Sequence, residues 1–337
     1  MPIITEYIWI DAKGGLRSKS RVFEKIALTD LPKWNFDGSS TGQAESNDSE
    51  VILKPCRLFI DPLKRNLPKD IKAYLVLCEC EDKNGLPLKS NTRRPARDIF
   101  DKVKHLESQF GIEQEYVLYN NTTNRLVGWP AMGFPEPQGK YYCGVGADRS
   151  SARSMVEEHY LKCLEAGVKI CGINEEVLPG QWEFQIGICD DIEAADHLVM
   201  ARYLLHRIGE SYNIRVSFEP KPIHGDWNGS GCHTNYSTKE MRSPSTGIKA
   251  INAAIERLGT KHAEHLAVYG DNSQRLSGTH ETSSRDKFTF GIGDRTASIR
   301  IPTAVQRDGC GYIEDRRPAS DCDPYLVTSM IAQTTLL

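Results

Sequence analysis

Glu113 and Glu115, two residues apart in GIEQEYVLY, are the first residues here whose spacing suggests chemistry. The segment is rich in β-formers, so both side chains point to one face with Cβ atoms about 7 Å apart. Two bare charges at that separation repel by roughly 2 kcal/mol at an effective dielectric near 20. Solvent on an exposed strand offsets this repulsion, and so does a cation. NEEVLPGQWEFQIGI reads as a hairpin around Leu178-Pro179-Gly180-Gln181, with Pro and Gly where a type II turn takes them. Counting outward pairs Val177 with Trp182 and Glu176 with Glu183, which would set two more like charges about 5 Å apart across a ladder. The opposite face carries Val177, Trp182, Phe184 and Ile186 and reads as core. Two such carboxylate pairs favour a divalent-cation site. All-oxygen ligation suits Mg²⁺ or Mn²⁺, and an added imidazole still suits Mn²⁺; two metals in one site favour phosphoryl chemistry.

A phosphate also needs positive charge. GDRTASIRIP supplies Arg295 and Arg300, and GYIEDRRP supplies Arg316 and Arg317 beside Glu314. Guanidinium forks match phosphate and carboxylate oxygens, although any one of these arginines taken alone reads as an ordinary surface ion-pair partner. NGSGCHTNYS is a glycine-rich loop carrying His233, where small residues admit close backbone approach to a ligand. Glu281 in GTHETSSRDKF lies in a polar loop, a candidate lid acid or base. His262 and His265, three apart on a helix, lack a third ligand and read as a solvated face. Neither a P-loop nor a complete GxGxxG occurs.

These residues need elements to hold them. EYIWID, EVILKPCRLFI and AYLVLCEC read as strands, separated by the long polar loop KWNFDGSSTGQAESNDSE, and DKNG at 82–85 reads as a turn and domain boundary. RRPARDIFDKVKHLESQFG then sets Ile99, Phe100, Val103, Leu106 and Phe110 on one helical stripe, with Gly111 past its end. Further helical stretches run over 154–166, 192–211 and 248–268, and a last helix follows Asp323-Pro324, a cap and first-turn pair. Strand-like segments alternate with the helices. With 337 residues, two domains are expected.

Composition narrows the class. Hydrophobic residues at 39% and charged residues at 26% describe a globular protein with a core, and 42 basic against 45 acidic residues argue against bulk nucleic-acid or anionic-membrane binding. The longest apolar runs fall short of a membrane span. MPIITEYIWID enters a strand directly, without a signal or transit pattern. Ten scattered cysteines read as reduced thiols, so a cytoplasmic location is expected.

The collinear motifs EYIWID, LPKWNFDGSSTGQA, GIEQEY, GFPEPQGKYYCGVGAD, QWEFQIG, GDWNGSGCHTNYS, HETSS, ASIRIP and EDRRPAS resemble the short, eukaryotic-type glutamine synthetases nearly end to end. The resemblance implies an α+β fold: a β-grasp-like N-terminal domain, 1–85, and a larger α/β domain with a curved antiparallel sheet, 86–337. It implies ATP-dependent ligation of ammonia to the γ-carboxylate of L-glutamate through γ-glutamyl phosphate, with two or more Mg²⁺ or Mn²⁺ ions per site and ATP as co-substrate. By resemblance, Glu115, Glu176 and Glu183 hold one metal, and Glu113, His233 and Glu314 the second. Trp227, Asn228, Gly229, Arg275 and Arg316 face glutamate, and Asn235, Ser237, Arg295, Arg300 and Tyr312 face ATP. Asp37 takes the proton of ammonium and Glu281 closes the site, with Arg295 on the transferring phosphoryl group. The family forms rings, usually decamers of two pentamers, with Asp37 given across a subunit interface. The chain begins at the first strand, without the family's helical leader, and the segment before Arg275 is one residue short. Gln109 stands where the family usually has Trp near the nucleotide base, and Thr303 where an Arg follows RIP.

Two other readings share this scaffold: a ligase joining glutamate to another amine, and a non-catalytic structural relative. Asp37 in NFDGSS favours ammonium over a neutral, bulkier amine. The six metal-ligand positions, all filled, favour an enzyme.

Overall fold

The computed structural model describes residues 2–64 and 66–337, and the chain forms two compact units, 1–98 with 162–168, and 99–161 with 169–337. Among the described residues, the first unit holds strands β1 (Ile3–Ile10), β2 (Leu16–Phe23), β3 (Trp34–Asp37), β4 (Glu50–Ile60) and β5 (Lys72–Glu81). They form one sheet in the order β2-β1-β5-β4-β3, with β1 and β5 parallel and the other neighbours antiparallel. Tyr7, Trp9, Val51, Leu53, Val76 and Cys80 alternate onto one face and bury there, with Trp34 and Phe36 packed against them. Part of the long polar loop is therefore strand: Trp34 and Phe36 carry the two-residue period of β3, and its polar flanks mask so short a run. No helix longer than a 3₁₀ turn interrupts the described residues of this sheet before α1 (Arg93–Val103).

The second unit is built on strands β6 (Gln109–Asn120), β7 (Arg125–Leu126), β8 (Ile170–Glu175), β9 (Gln181–Asp190), β10 (Ile214–Ser217), β11 (Cys232–Ser237), β12 (Phe290–Ile292), β13 (Ile299–Ile301) and β14 (Ile313–Asp315). The main path is β12-β13-β14-β11-β6-β9-β8, antiparallel except for β12 with β13, while β7 and β10 also pair with β6. Helix α2 (Arg153–Ala166) is divided between the two units at Lys162, and α3 (Glu193–Tyr212), α4 (Gly247–Thr260), α5 (His262–Leu266), α6 (Thr303–Asp308) and α7 (Pro324–Leu336) belong to the second. Alternation sorts the sheet into two faces. Ile112, Tyr116, Trp182, Phe184, Ile186, Cys232 and Tyr236 are buried beneath the helices, with α3 packed across β6 and β9. The intervening residues, Glu113, Glu115, Glu183, Gln185, His233 and Asn235, share the other face.

Several local expectations change. The stripe beginning at Ile99 ends as a helix at Val103, and after a 3₁₀ turn Glu107 adopts a left-handed conformation that turns the chain into β6. Phe110 thus lies in a strand, against Tyr236, and Gly111 lies in mid-strand opposite Asn235. The stretch 248–268 is two helices, broken at Lys261. His265 is buried between Tyr269 Oη (2.6 Å) and Thr334 Oγ1 (2.8 Å) rather than solvated, while His262, half-buried, meets Arg285 O at 2.9 Å through Nε2.

The final helix starts as expected: Asp323 Oδ1 accepts from the Tyr325 and Leu326 N–H groups, with Pro324 in the first turn. Asp323→Ala should cost about 1 kcal/mol, read as a lower urea midpoint with an unchanged slope; an unshifted midpoint would show that packing alone sets this helix start.

Candidate active site

The four central strands bring the charged residues together. On β6, Glu113 and Glu115 share a face; across the ladder, His233 of β11 stands opposite Glu113, and Glu183 of β9 opposite Glu115. Glu314 of β14 lies opposite Asn235 of β11 and Arg300 of β13. Two groups result, Glu113–His233–Glu314 and Glu115–Glu176–Glu183, each offering one ligand atom per residue within 4.8 Å of the others. His233 Nδ1 lies 3.7 Å from both Glu113 Oε2 and Glu314 Oε1, and 3.9 Å from Glu115 Oε1, too far for hydrogen bonds.

The hairpin register differs from the sequence expectation. Glu183 pairs with Asn174 and Trp182 with Glu175, while the Glu176 N–H donates to Gln181 O (2.8 Å). The turn itself is as expected, with the Gln181 N–H bonded to Leu178 O and Gly180 at φ 84°. The loop is simply longer than two residues, so Glu176 and Glu183 are diagonal neighbours rather than partners. Val177 is only partly buried.

The electrostatics are those of a buried acidic cluster. Burial, then Glu115, pushes Glu176 up to about 8; burial, then Glu113 and Glu115, pushes Glu183 up to about 9. Glu115 is raised mainly by burial, against the pull of Arg275. His233 is held well below its usual value by burial and then by Arg316. Amides steady the carboxylates: Asn174 Nδ2 donates to Glu176 Oε1 (2.8 Å), Gln185 Nε2 to Glu183 Oε1, and Gln181 Nε2 (3.2 Å) and the Gly231 N–H (2.8 Å) to Glu115 Oε2. These amides were legible only as Gln181, Glu183 and Gln185 at two-residue spacing, a polar face without a stated purpose.

A third group, Cys189, Glu193 and His197, also lies within ligand reach. It already holds a cation, since Lys169 Nζ sits 2.6 Å from Glu193 Oε2.

Arginines border both acidic groups. Glu314, 1% exposed, is bridged by Arg316 Nη1 on Oε1 (2.6 Å) and Arg300 Nη1 on Oε2 (2.7 Å). Arg300 Nε is buried with no hydrogen-bond partner among the described residues. Arg275 is buried, with Nη2 3.1 Å from His233 Nε2 and from Arg316 O. A Cβ at Gly231 would stand 2.4 Å from Arg275 Nη2 and 2.8 Å from His233 Nε2, so a larger residue there would have to displace one of these side chains. Beside the Glu113 group opens a cavity of about 390 Å³ whose walls include Gln109, Gly111, Ile188, Asn235 and Tyr312.

A family model described as glutamine synthetase, beta-Grasp domain, matches residues 3–83, and one described as glutamine synthetase, catalytic domain, matches residues 90–249. The glutamine synthetase of Kluyveromyces lactis is 53% identical over 98% of this chain and 88% of its own length. This chain belongs to the glutamine synthetase family. The enzymes so named from Saccharomyces cerevisiae and Agaricus bisporus are 52% and 51% identical, over 98% and 99% of this chain and 89% and 94% of their own. A cryo-EM structure titled as Plasmodium falciparum glutamine synthetase shares the fold, with a TM-score of 0.79 at 18% identity, covering 98% of this chain and 71% of that one. The β-grasp and catalytic-domain architecture expected from the motifs is thus that of a glutamine synthetase.

The remaining motif residues fall into place by unit. In the second unit, Gly229 lies where a Cβ would meet Pro220 O at 2.6 Å, and its carbonyl accepts from Gln181 Nε2 (2.9 Å). The Asn228 N–H donates to Gln138 Oε1 (3.0 Å), and Trp227 packs against Trp129 with centroids 5.2 Å apart. Asn235 Nδ2 donates to Glu113 Oε1 (2.8 Å), Ser237 Oγ accepts from Arg242 Nη1 (3.0 Å), and Tyr312 is 42% exposed on the cavity. Glu281 is exposed at φ 59°, and its carbonyl accepts from Arg316 Nη2 (3.2 Å). Arg295 is exposed, its carbonyl accepting from Arg316 Nε (3.1 Å). In the first unit, Asp37 ends β3, accepting from Ser39 N–H, Ser39 Oγ and Ser40 Oγ at 3.0, 2.7 and 2.8 Å. Those hydroxyls hold its carboxyl below the usual value. No helix among the described residues is long and apolar enough to cross a membrane.

Proposed function

We propose that this chain ligates ammonia to the γ-carboxylate of L-glutamate at the cost of ATP, giving L-glutamine, ADP and phosphate. The observation that carries this is the pair of acidic triads on one sheet face, bordered by Arg275, Arg300 and Arg316. The donor sets fit divalent cations: carboxylates raised by burial and by one another relax when a cation replaces the missing positive charge. Glu115, Glu176 and Glu183 would hold one Mg²⁺ or Mn²⁺, and Glu113, His233 and Glu314 the other. When bound, the cations neutralise charge on the phosphates and polarise the phosphoryl group.

A carboxylate is a poor electrophile, so the γ-carboxylate must first gain a leaving group. Arg275 and the backbone from Trp227 to Gly229 hold and orient glutamate, with Arg316 at its γ end. Asn235, Ser237 and Tyr312 seat ATP in the cavity, and Arg300 and Arg295 meet its phosphates. Arg300 carries the unpartnered Nε that such an anion would satisfy. Transfer of the γ-phosphoryl yields γ-glutamyl phosphate and ADP, aided chiefly by positioning and fixed charge. Ammonia then attacks the acyl carbon and phosphate departs.

Asp37, kept anionic by Ser39 and Ser40, draws ammonium and accepts its proton as the nitrogen commits to attack. A neutral amine would make no use of that anion. Glu281 closes the loop over the intermediate, excludes water, and takes the second proton. The family's ring, a decamer of two pentamers, would bring Asp37 from a neighbouring subunit. We place the domain boundary at 85/86, supported by family models that stop at 83 and resume at 90, and the protein in the cytoplasm, supported by ten cysteines that form no disulfide.

The deciding assay mixes glutamate, ammonium and ATP with Mg²⁺ or Mn²⁺. Glutamine and phosphate should appear in equal amounts, and EDTA should stop both. Phosphate without glutamine, or faster reaction with alkylamines than with ammonium, would overturn the assignment.

A further inference from the structure

The cavity beside the Glu113 group has a direction. Gln109, Gly111 and Glu113 alternate along one face of β6, so Gln109 stands four residues, about 13 Å, from the acidic group. That is the span of a nucleoside triphosphate from phosphates to base, which puts the base at the Gln109 end. Gly111 leaves the floor between them bare: a Cβ there would make only ordinary contacts, 3.6 Å to Ile186 O and 3.7 Å to Asn235 Cβ, so packing does not demand glycine. At that end β9 bulges, with Phe110 opposite Cys189 but Ile112 opposite Ile186, so that Gly187 and Ile188 stand against the single Gly111, and Ile188 is 72% exposed. Ile188 and Tyr312 thus offer apolar surface to a flat ring.

Most polar side chains on the cavity wall are already engaged. Asn235 serves Glu113, Gln185 serves Asn174 and Glu183, and Arg242 serves Ser237 and the Glu107 carbonyl. Gln109 is engaged on one side only: its Nε2 donates to Asp190 Oδ1 at 3.0 Å, and the two residues are partners across the β6–β9 ladder. A carboxylate only accepts, so this bond fixes which end of the amide is nitrogen. The second N–H and Oε1 remain as an edge of one donor and one acceptor. Adenine presents the matching edge, an amino donor beside a ring-nitrogen acceptor, whereas guanine sets its carbonyl oxygen against Oε1.

We propose that Gln109, oriented by Asp190, reads the 6-amino group of adenine and selects ATP over GTP in this chain. This rests on reading the cavity as the nucleotide pocket. The test is titration of the full chain with ATP and with GTP in Mg²⁺, followed by KM for each. Gln109→Ala should weaken ATP about tenfold and GTP far less, so the ATP:GTP preference falls by about tenfold in both Kd and KM. Asp190→Ala should move the preference in the same direction by less. A preference unchanged within about twofold in Gln109→Ala would overturn the role of Gln109. Gly111→Val separates this from failure of the underlying reading. If that variant, folded by its melting curve, still binds ATP normally, the cavity is not the nucleotide pocket. If it loses both nucleotides while Gln109→Ala keeps the wild-type preference, only the role of Gln109 fails.

Discussion

Glu183→Ala should lower glutamine formation by at least about 10³-fold while leaving the metal-free protein as stable as the wild type or more so. The two effects have one cause. Glu183 is 7% exposed beside Glu115 and Glu176, and charges within 4.8 Å of one another repel by at least about 3 kcal/mol at an effective dielectric near 20. Without metal the cluster relieves this by keeping protons, which is why Glu176 and Glu183 rise to about 8 and about 9. A carboxyl whose folded pKa lies above its unfolded value near 4.5 stabilises the fold below that value, and the contribution is lost as pH rises through the folded pKa. Metal-free wild type should therefore lose stability steadily from about pH 5 to pH 9, and Glu183→Ala should flatten that slope. Mn²⁺ at a hundred times its Kd should add about 2.7 kcal/mol to the wild type, on the order of 5 °C in Tm, and much less to the variant. Melting curves from pH 5 to 9, with EDTA and with Mn²⁺, would read both. An equal Mn²⁺ shift in the two proteins would remove Glu183 from the metal site.

Arg316→Ala has the second-largest expected effect, and here activity and stability fall together. Its guanidinium ties three segments to one point: Nη1 on Glu314, Nη2 on the Glu281 carbonyl and Nε on the Arg295 carbonyl. Removing it leaves Glu314, 1% exposed, with Arg300 as its remaining arginine. Stripping a buried carboxylate of one partner costs about 3 kcal/mol, softened by the Arg300 bridge. The loop bearing Glu281 and the segment bearing Arg295 also lose their common anchor, so kcat should drop by on the order of 10²–10³. Arg316→Lys distinguishes charge from geometry. An ammonium restores charge beside Glu314 but cannot span three acceptors from a planar fork. The lysine variant should recover most of the urea midpoint and little of kcat. Full recovery of kcat would reduce Arg316 to a counter-ion.

Much of this site was legible in the sequence, for a reason the strands make plain. Side chains alternate with period two, so Glu113 with Glu115, and Gln181 with Glu183 and Gln185, must share faces whatever their neighbours. The expected hairpin register was wrong by two residues, yet Glu176 still faces the same way as Glu183, because an even shift preserves the face. The cap at Asp323 and the turn at Pro179-Gly180 were equally local, and both formed as read.

What only the tertiary structure decided is which strands became neighbours. Nothing near Glu115 in sequence says that Glu183 lies across the ladder from it, or that His233 lies across from Glu113; those pairings close loops of tens to more than a hundred residues. The same holds where periodicity misled. Phe110 continues a helical stripe but enters β6, because Glu107 turns left-handed and pairing with β9 and β11 outweighs the helical pattern. His265 looks solvated on its own helix and is enclosed by Tyr269 and Thr334 of α7. Local periodicity is fixed by backbone geometry and survives in any fold; register, partners and burial are set by long-range pairing, which a single sequence does not display.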